Sequence, residues 1–156
     1  FRDSQRRLAD SIEGCSIAVS SDLGHPTDVH PRAKKPVGRR LAAIALRDVY
    51  GFDIPGHSPS PLSATMKDGK IIIRFDNAVG LTTPEGESLR GFSVLTDDGE
   101  MTDISACITG LSEVTADCPH NNVKAILYGW KPYTDANLYG NGGLPVSTFK
   151  LYVNEQ

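Results

Sequence analysis

The chain has 156 residues, enough for one ordinary domain or for a small domain with part of another attached. Its 39% hydrophobic and 22% charged residues are those of a folded globular protein rather than a disordered one. A net charge of −3 gives no footprint for nucleic acid, and no apolar run approaches the ~20 residues a membrane-spanning helix needs, so neither partner is expected.

The chain opens with “FRDSQRRLADSIEG”, in which Phe1, Gln5, Leu8 and Ile12 recur at helical spacing and Gly14 supplies a stop. Charge throughout this stretch, with no apolar h-region, excludes a secretory signal. “CSIAVSSD” predicts a short buried strand that delivers the loop from Asp22 to His30. A second helix is expected from Lys35 or Pro36, because proline suits a first turn whose N–H has no helical partner. Val37, Leu41, Ala45 and Val49, with Ile44 alongside, give it an apolar stripe that must meet something larger, and Tyr50-Gly51 ends it. Two helices and one strand cannot bury these stripes alone, so residues 1–52 read as the tail of an α/β domain.

“GFDIPGHSPSPLS” is rich in proline and glycine and reads as a linker over residues 53–63. Residues 64–156 follow a different pattern. “KDGK” at Lys67 to Lys70 and “DDGE” at Asp97 to Glu100 place Asp-Gly between strand-like runs, a strong hairpin signal. “KIIIRF”, “GFSVLT”, “DISACIT”, “VKAILYGW” and “FKLYV” are the strand candidates. Their spacing predicts an antiparallel β-sandwich, jelly-roll-like, of about 100 residues. Cys15, Cys107 and Cys118 show no CxxC spacing; Cys107 and Cys118 flank a turn, and buried free thiols are expected in preference to a bridge.

Asp28 and His30 form the most suggestive pair. An imidazole acting as a base needs a carboxylate to hold its tautomer, and residues two apart in an extended loop leave on the same side. A turn-forming Asp28 beside a surface His30 is the plainer reading of the spacing alone, and Asp22 and His25 compete for the same roles. These four residues can in principle ligate a cation, but no credible metal cluster, P-loop or dinucleotide fingerprint is present, so no cofactor is expected. No nucleophile accompanies the base. Ser93 lies inside a strand pattern, and “GHSPS” puts Pro59 after Ser58, where an oxyanion hole needs a backbone N–H. Tyr128, Trp130, Tyr133 and Tyr139 cluster late in the chain, as core or interface residues or, alternatively, as a sugar-stacking surface of a carbohydrate-binding module.

“DVHPRAKKPVGRRLAAIAL”, with “FRDSQ” before it, closely resembles the end of the catalytic domain of sialate O-acetylesterases, serine esterases of the SGNH type. “GLTTPEGESLRGFSV” and “YGWKPYTDANLYGNGGLPVSTFK” resemble the β-rich C-terminal region of the same enzymes. The resemblance implies the tail of a flavodoxin-like domain followed by the β-sandwich, in a periplasmic or secreted protein. It also implies removal of O-acetyl groups from sialic acid or a related acetylated sugar, or from acetylated xylan. By the same resemblance His30 is the catalytic histidine and Asp28 its orienting carboxylate. The commonest SGNH spacing puts the aspartate three residues before the histidine, where Thr27 stands here, so Asp22 or a backbone carbonyl are alternative orienters. The nucleophilic serine and the oxyanion-hole glycine and asparagine are expected upstream of Phe1. The N-terminal portion of the same esterase is then the partner, and this fragment alone is expected to be inactive.

Overall fold

A computed structural model describes residues 1–155 apart from 79 and 121. The Asp-Gly signals are hairpins. Asp68 and Gly69 take φ of 49° and 71°, as a type I′ turn requires, and join β1 (Ser60–Lys67) to β2 (Lys70–Asp76). Gly99, at φ 86°, lies in the turn between β3 (Phe92–Thr96) and β4 (Met101–Asp103). Then follow β5 (Ala106–Gly110), β6 (Glu113–Asp117), β7 (Val123–Tyr128) and β8 (Phe149–Glu155).

All eight strands belong to one sheet in the order β4-β3-β7-β8-β1-β2-β6-β5. Every neighbouring pair is antiparallel except β1 and β8, which run parallel with Ala64 opposite Val153. Period-2 alternation buries Ile71, Ile73 and Phe75 of β2, Val114 and Ala116 of β6, and Phe92 and Val94 of β3 in one cluster. Phe149 of β8 sits at its centre: its ring lies 5.8 Å from that of Phe75 and 6.3 Å from that of Phe92. Because β2 and β3 are separated by three strands in the sheet, their rings can share a neighbour only if the sheet curls. The curl makes a half-barrel that encloses its own core.

This architecture corrects the expected fold class. The chain is not a flavodoxin-like α/β tail followed by an antiparallel sandwich; it is a mostly-sheet, mixed half-barrel with two α-helices among the described residues. “CSIAVSSD” forms no strand: residues 15–20 are irregular, since a β-branched run becomes a strand only beside a hydrogen-bonding neighbour, and among the described residues it has none. A parallel β1–β8 pair excludes an all-antiparallel module. The thiols are free as expected but not buried. Cys15 and Cys107 are exposed, and half-buried Cys118 donates from Sγ to the His120 carbonyl at 3.3 Å.

The helices form where expected, α1 at Arg2–Ser11 and α2 at Lys34–Asp48, but with unexpected faces. α1 buries Asp3, Arg6 and Ala9 and leaves Phe1, Leu8 and Ile12 at 93%, 60% and 50% exposure. Burial of the charged face is tolerable because Arg6 pairs with the equally buried Asp3 at 2.8 Å, while Asp10, which it bonds at 2.9 Å, remains half exposed to water. Arg2 then staples α1 to the sheet. Its Nε donates to Thr148 Oγ1 (2.8 Å), Nη2 to the Gly129 (2.7 Å) and Lys131 (2.6 Å) carbonyls, and Nη1 to that of Pro132 (3.0 Å). α2 buries no residue; Leu41, Val49, Tyr50 and Phe52 are exposed along it and just beyond it.

Candidate functional site

Between a single 3-10 turn at Ser21–Leu23 and the start of α2, the chain makes the loop that carries His25, Asp28 and His30. All three side chains are exposed. The loop is folded by its own polar groups. His25 Nδ1 accepts the backbone N–H of Asp28 at 3.0 Å and that of Thr27 at 3.3 Å, which assigns the His25 proton to Nε2. Asp28 Oδ1 accepts the backbone N–H of His30 at 2.8 Å, a local Asx-type closure. The Asp28 carboxylate therefore meets the main chain of His30 rather than its imidazole. Among the described residues no side chain hydrogen-bonds the His30 ring, which faces outward.

Asp22 occupies a different environment from its sequence neighbours. Both of its carboxylate oxygens are taken by Arg40 of α2, at 2.7 and 2.6 Å, and the two side chains are only 8% and 11% exposed. Arg40 Nη1 also donates to the Val19 carbonyl at 2.7 Å, and Tyr139 Oη donates to Asp22 Oδ2 at 3.3 Å. Burial, and then the Asp22 charge, raise the Tyr139 hydroxyl above its ordinary pKa. With both oxygens engaged, Asp22 serves the frame of the loop rather than the His30 imidazole. Arg40 and Tyr139 were not singled out for this role in the sequence, because nothing local links Asp22 to partners 18 and 117 positions away.

A cleft of about 270 Å³ opens beside this frame, lined by Ser20, Leu23, Pro31, Ala33, Lys34 and Val37 among others. A second, of about 240 Å³, lies between α1 and the sheet and includes His57 and Ser58. His57 Nε2 is engaged with Asp48 Oδ1 at 2.8 Å, and Ser16 Oγ donates to the other Asp48 oxygen at 2.8 Å. These bonds, that of His57 first, hold the Asp48 carboxyl below its ordinary pKa. Among the described residues no serine or cysteine hydrogen-bonds a histidine ring, so they present no assembled nucleophile and base. Nor do three or more His, Cys, Asp or Glu side chains gather into a metal-holding group among them.

The late aromatic residues separate by role. Tyr128 is 2% exposed and stacks on Phe149 at 5.5 Å, while its Oη accepts the buried Leu138 N–H at 2.7 Å; it belongs to the core. Trp130 and Tyr133 stand at the surface, 39% and 46% exposed. Trp130 borders a cleft of about 290 Å³ that also holds Ser93, Asp103, Lys131 and Asp135. Lys131 bonds Asp103 at 2.6 Å and, followed by Ser93, lowers its pKa.

Over 85% of its length the chain matches the crystal structure of a carbohydrate acetylesterase from Xanthomonas citri, with a TM-score of 0.78 and 34% sequence identity. The chain is similar to part of that enzyme. It spans 31% of the length of the solved protein. No family profile matches the chain, and no curated protein matches it significantly.

Proposed function

We propose that this chain is part of a serine esterase that removes acetyl groups from sugars, with His30 as its general acid and base. The observation that carries the reading is the 34% identity, across 85% of the chain, to a carbohydrate acetylesterase. In this mechanism a serine outside these residues loses its proton to His30 and attacks the acetyl carbonyl. The tetrahedral intermediate expels the sugar alkoxide, which takes the proton back from His30, and water then hydrolyses the acyl-enzyme by the same shuttle. Asp28 holds the His30 main chain through Oδ1, which leaves Oδ2 as the oxygen to orient the imidazole once the ring turns toward it.

The uncovered apolar side chains support a large intramolecular partner. Phe1, Leu8 and Ile12, in and beside α1, and Leu41, Val49, Tyr50 and Phe52, in and just beyond α2, are exposed apolar side chains that a further portion of the esterase would cover. That portion supplies the serine, and the 156 residues alone hydrolyse nothing. Sialic acid carrying O-acetyl groups, or a related acetylated sugar, is the proposed substrate, in a periplasmic or secreted enzyme. Comparing acetylated sialic acid with acetylated xylan separates the two substrate classes. The mechanism is tested in the longer polypeptide that carries the serine: His30→Ala abolishes hydrolysis without altering the fold, and full activity in that variant sinks the assignment.

A second reading is favoured by Trp130, whose exposed ring borders a polar cleft, and by the exposed ring of Tyr133 three residues on, since both suit stacking on a pyranose. Titration of the chain with acetylated and plain oligosaccharides, followed by Trp130 fluorescence, tests it. Saturable quenching abolished by Trp130→Ala supports a binding role, and a flat titration removes it.

A further inference from the structure

The segment that carries His30 is closed by a chord. Asp22 stands before it and Arg40 after it, and their side chains meet in a bidentate pair that is nearly shut off from solvent. A fork-to-carboxylate geometry fixes orientation as well as distance, so the pair restrains both ends of the loop at once. Two further contacts anchor the chord outside the loop. Arg40 Nη1 holds the Val19 carbonyl, and Tyr139 Oη reaches Asp22 from the β-rich half. Tyr139 is itself immobilised, since its N–H and C=O exchange 2.9 Å hydrogen bonds with Thr82. The remaining bonds within the loop, from His25 and Asp28, are exposed and local.

We propose that Asp22, Arg40 and Tyr139 are positioning residues that register the His30 loop against the sheet, so that the imidazole is presented at a fixed place to the rest of the active site. The inference rests on the reading of His30 as the catalytic base. It assigns the three residues no contact with substrate. A misplacement of about 1 Å in a catalytic group can cost on the order of 100-fold in rate, so a clamp of this kind acts on kcat rather than on substrate affinity.

Two measurements test the clamp. In the 156-residue chain, hydrogen exchange is followed in Asp22→Asn, Arg40→Lys and Tyr139→Phe. Within residues 24–32 the hydrogen-bonded amides of Thr27, Asp28 and His30 are expected to exchange about tenfold faster in the first two and about threefold faster in the third, while those of β2 and β7 stay within about twofold. Unchanged exchange at 24–32, or an equal rise throughout the sheet, overturns the clamp. In the longer, serine-bearing polypeptide the same variants are expected to lower kcat at least about tenfold for Asp22→Asn, with KM within about threefold. Arg40→Lys, which keeps the charge but not the fork, is expected to fall between Asp22→Asn and the unaltered protein. His30→Ala is run beside them. If His30→Ala is inactive while all three clamp variants keep full kcat, the clamp fails and the base assignment stands; if His30→Ala is fully active, the assignment itself fails.

Discussion

Tyr128 and Leu138 are joined by a 2.7 Å hydrogen bond from the Leu138 N–H to the Tyr128 hydroxyl, in a region where neither residue is more than 2% exposed. Water cannot replace that bond. Tyr128→Phe therefore keeps the ring against Phe149 but strands a buried N–H, and is expected to cost about 1–3 kcal/mol in urea unfolding at neutral pH.

The same burial gives an alkaline signature. Burial is the first cause that raises the Tyr128 pKa above its ordinary value of 10.0. A group whose folded pKa is raised contributes stability that is fully present below the unfolded pKa and is lost as pH rises toward the folded one. Unfolding free energy is expected to fall above pH 10 by as much as about 1.4 kcal/mol per pH unit from this group. The Tyr128→Phe variant, measured in parallel, should show a shallower decline between pH 10 and 11.

Asp28 offers a discriminating substitution. An asparagine oxygen can still accept the His30 N–H, whereas alanine cannot. Exchange of the His30 amide is expected to stay within about threefold of the parent in Asp28→Asn and to rise about tenfold in Asp28→Ala. If the carboxylate charge also steers the imidazole during turnover, Asp28→Asn loses hydrolysis in the serine-bearing polypeptide while keeping its amide protected.

Asp48 predicts an acid response. Its pKa is lowered chiefly by the bond to His57, and then by that to Ser16. A depressed carboxyl contributes stability above its unfolded value of 3.8 that disappears as pH falls through the folded one. The chemical shifts of residues 56–58 are therefore expected to move toward unstructured values below about pH 4, and Asp48→Ala should show that movement already at neutral pH.

Two glycines differ in what an added methyl would meet. At Gly91, with φ of 99°, a Cβ would lie 2.5 Å from that of Ala136, so Gly91→Ala combines backbone strain with a collision and is expected to cost about 2–4 kcal/mol. At Gly14, with φ of 73° and open space around it, the same change costs about 1–2 kcal/mol from the backbone alone. Thermal unfolding of the two variants separates these contributions.

Features written in neighbouring residues were legible in the sequence. Asp68-Gly69 and Asp98-Gly99 are turns, five strand runs are strands, and both helices lie close to their expected limits. Features that depend on distant partners were not. β6 has only Val114 and Ala116 as buried residues, too little hydrophobic signal to stand out, and β1 begins within a proline-rich stretch that reads as linker. The β1–β8 pair has no local signature at all. At the candidate site, His30 and Asp28 were visible as a motif, but whether the carboxylate faced ring or main chain was not, because the two choices differ by a side-chain rotation. On α1 the apolar stripe suggested the wrong inner face, since Arg6, bonded to both Asp3 and Asp10, made the other face acceptable to the sheet.

The position of β8 has a consequence for how the molecule is made. Although it is the last strand in sequence, it lies in the middle of the sheet, between β7 and β1, and is the seam through which β4-β3-β7 meets β1-β2-β6-β5. During synthesis the β1–β2 hairpin can form early, since its closure is local. The two groups of strands have no shared hydrogen-bonded edge until Phe149–Glu155 leaves the ribosome. Until that moment each exposes a strand edge able to pair with another nascent chain, so this half-barrel is most vulnerable to aggregation in the interval before β8 is made.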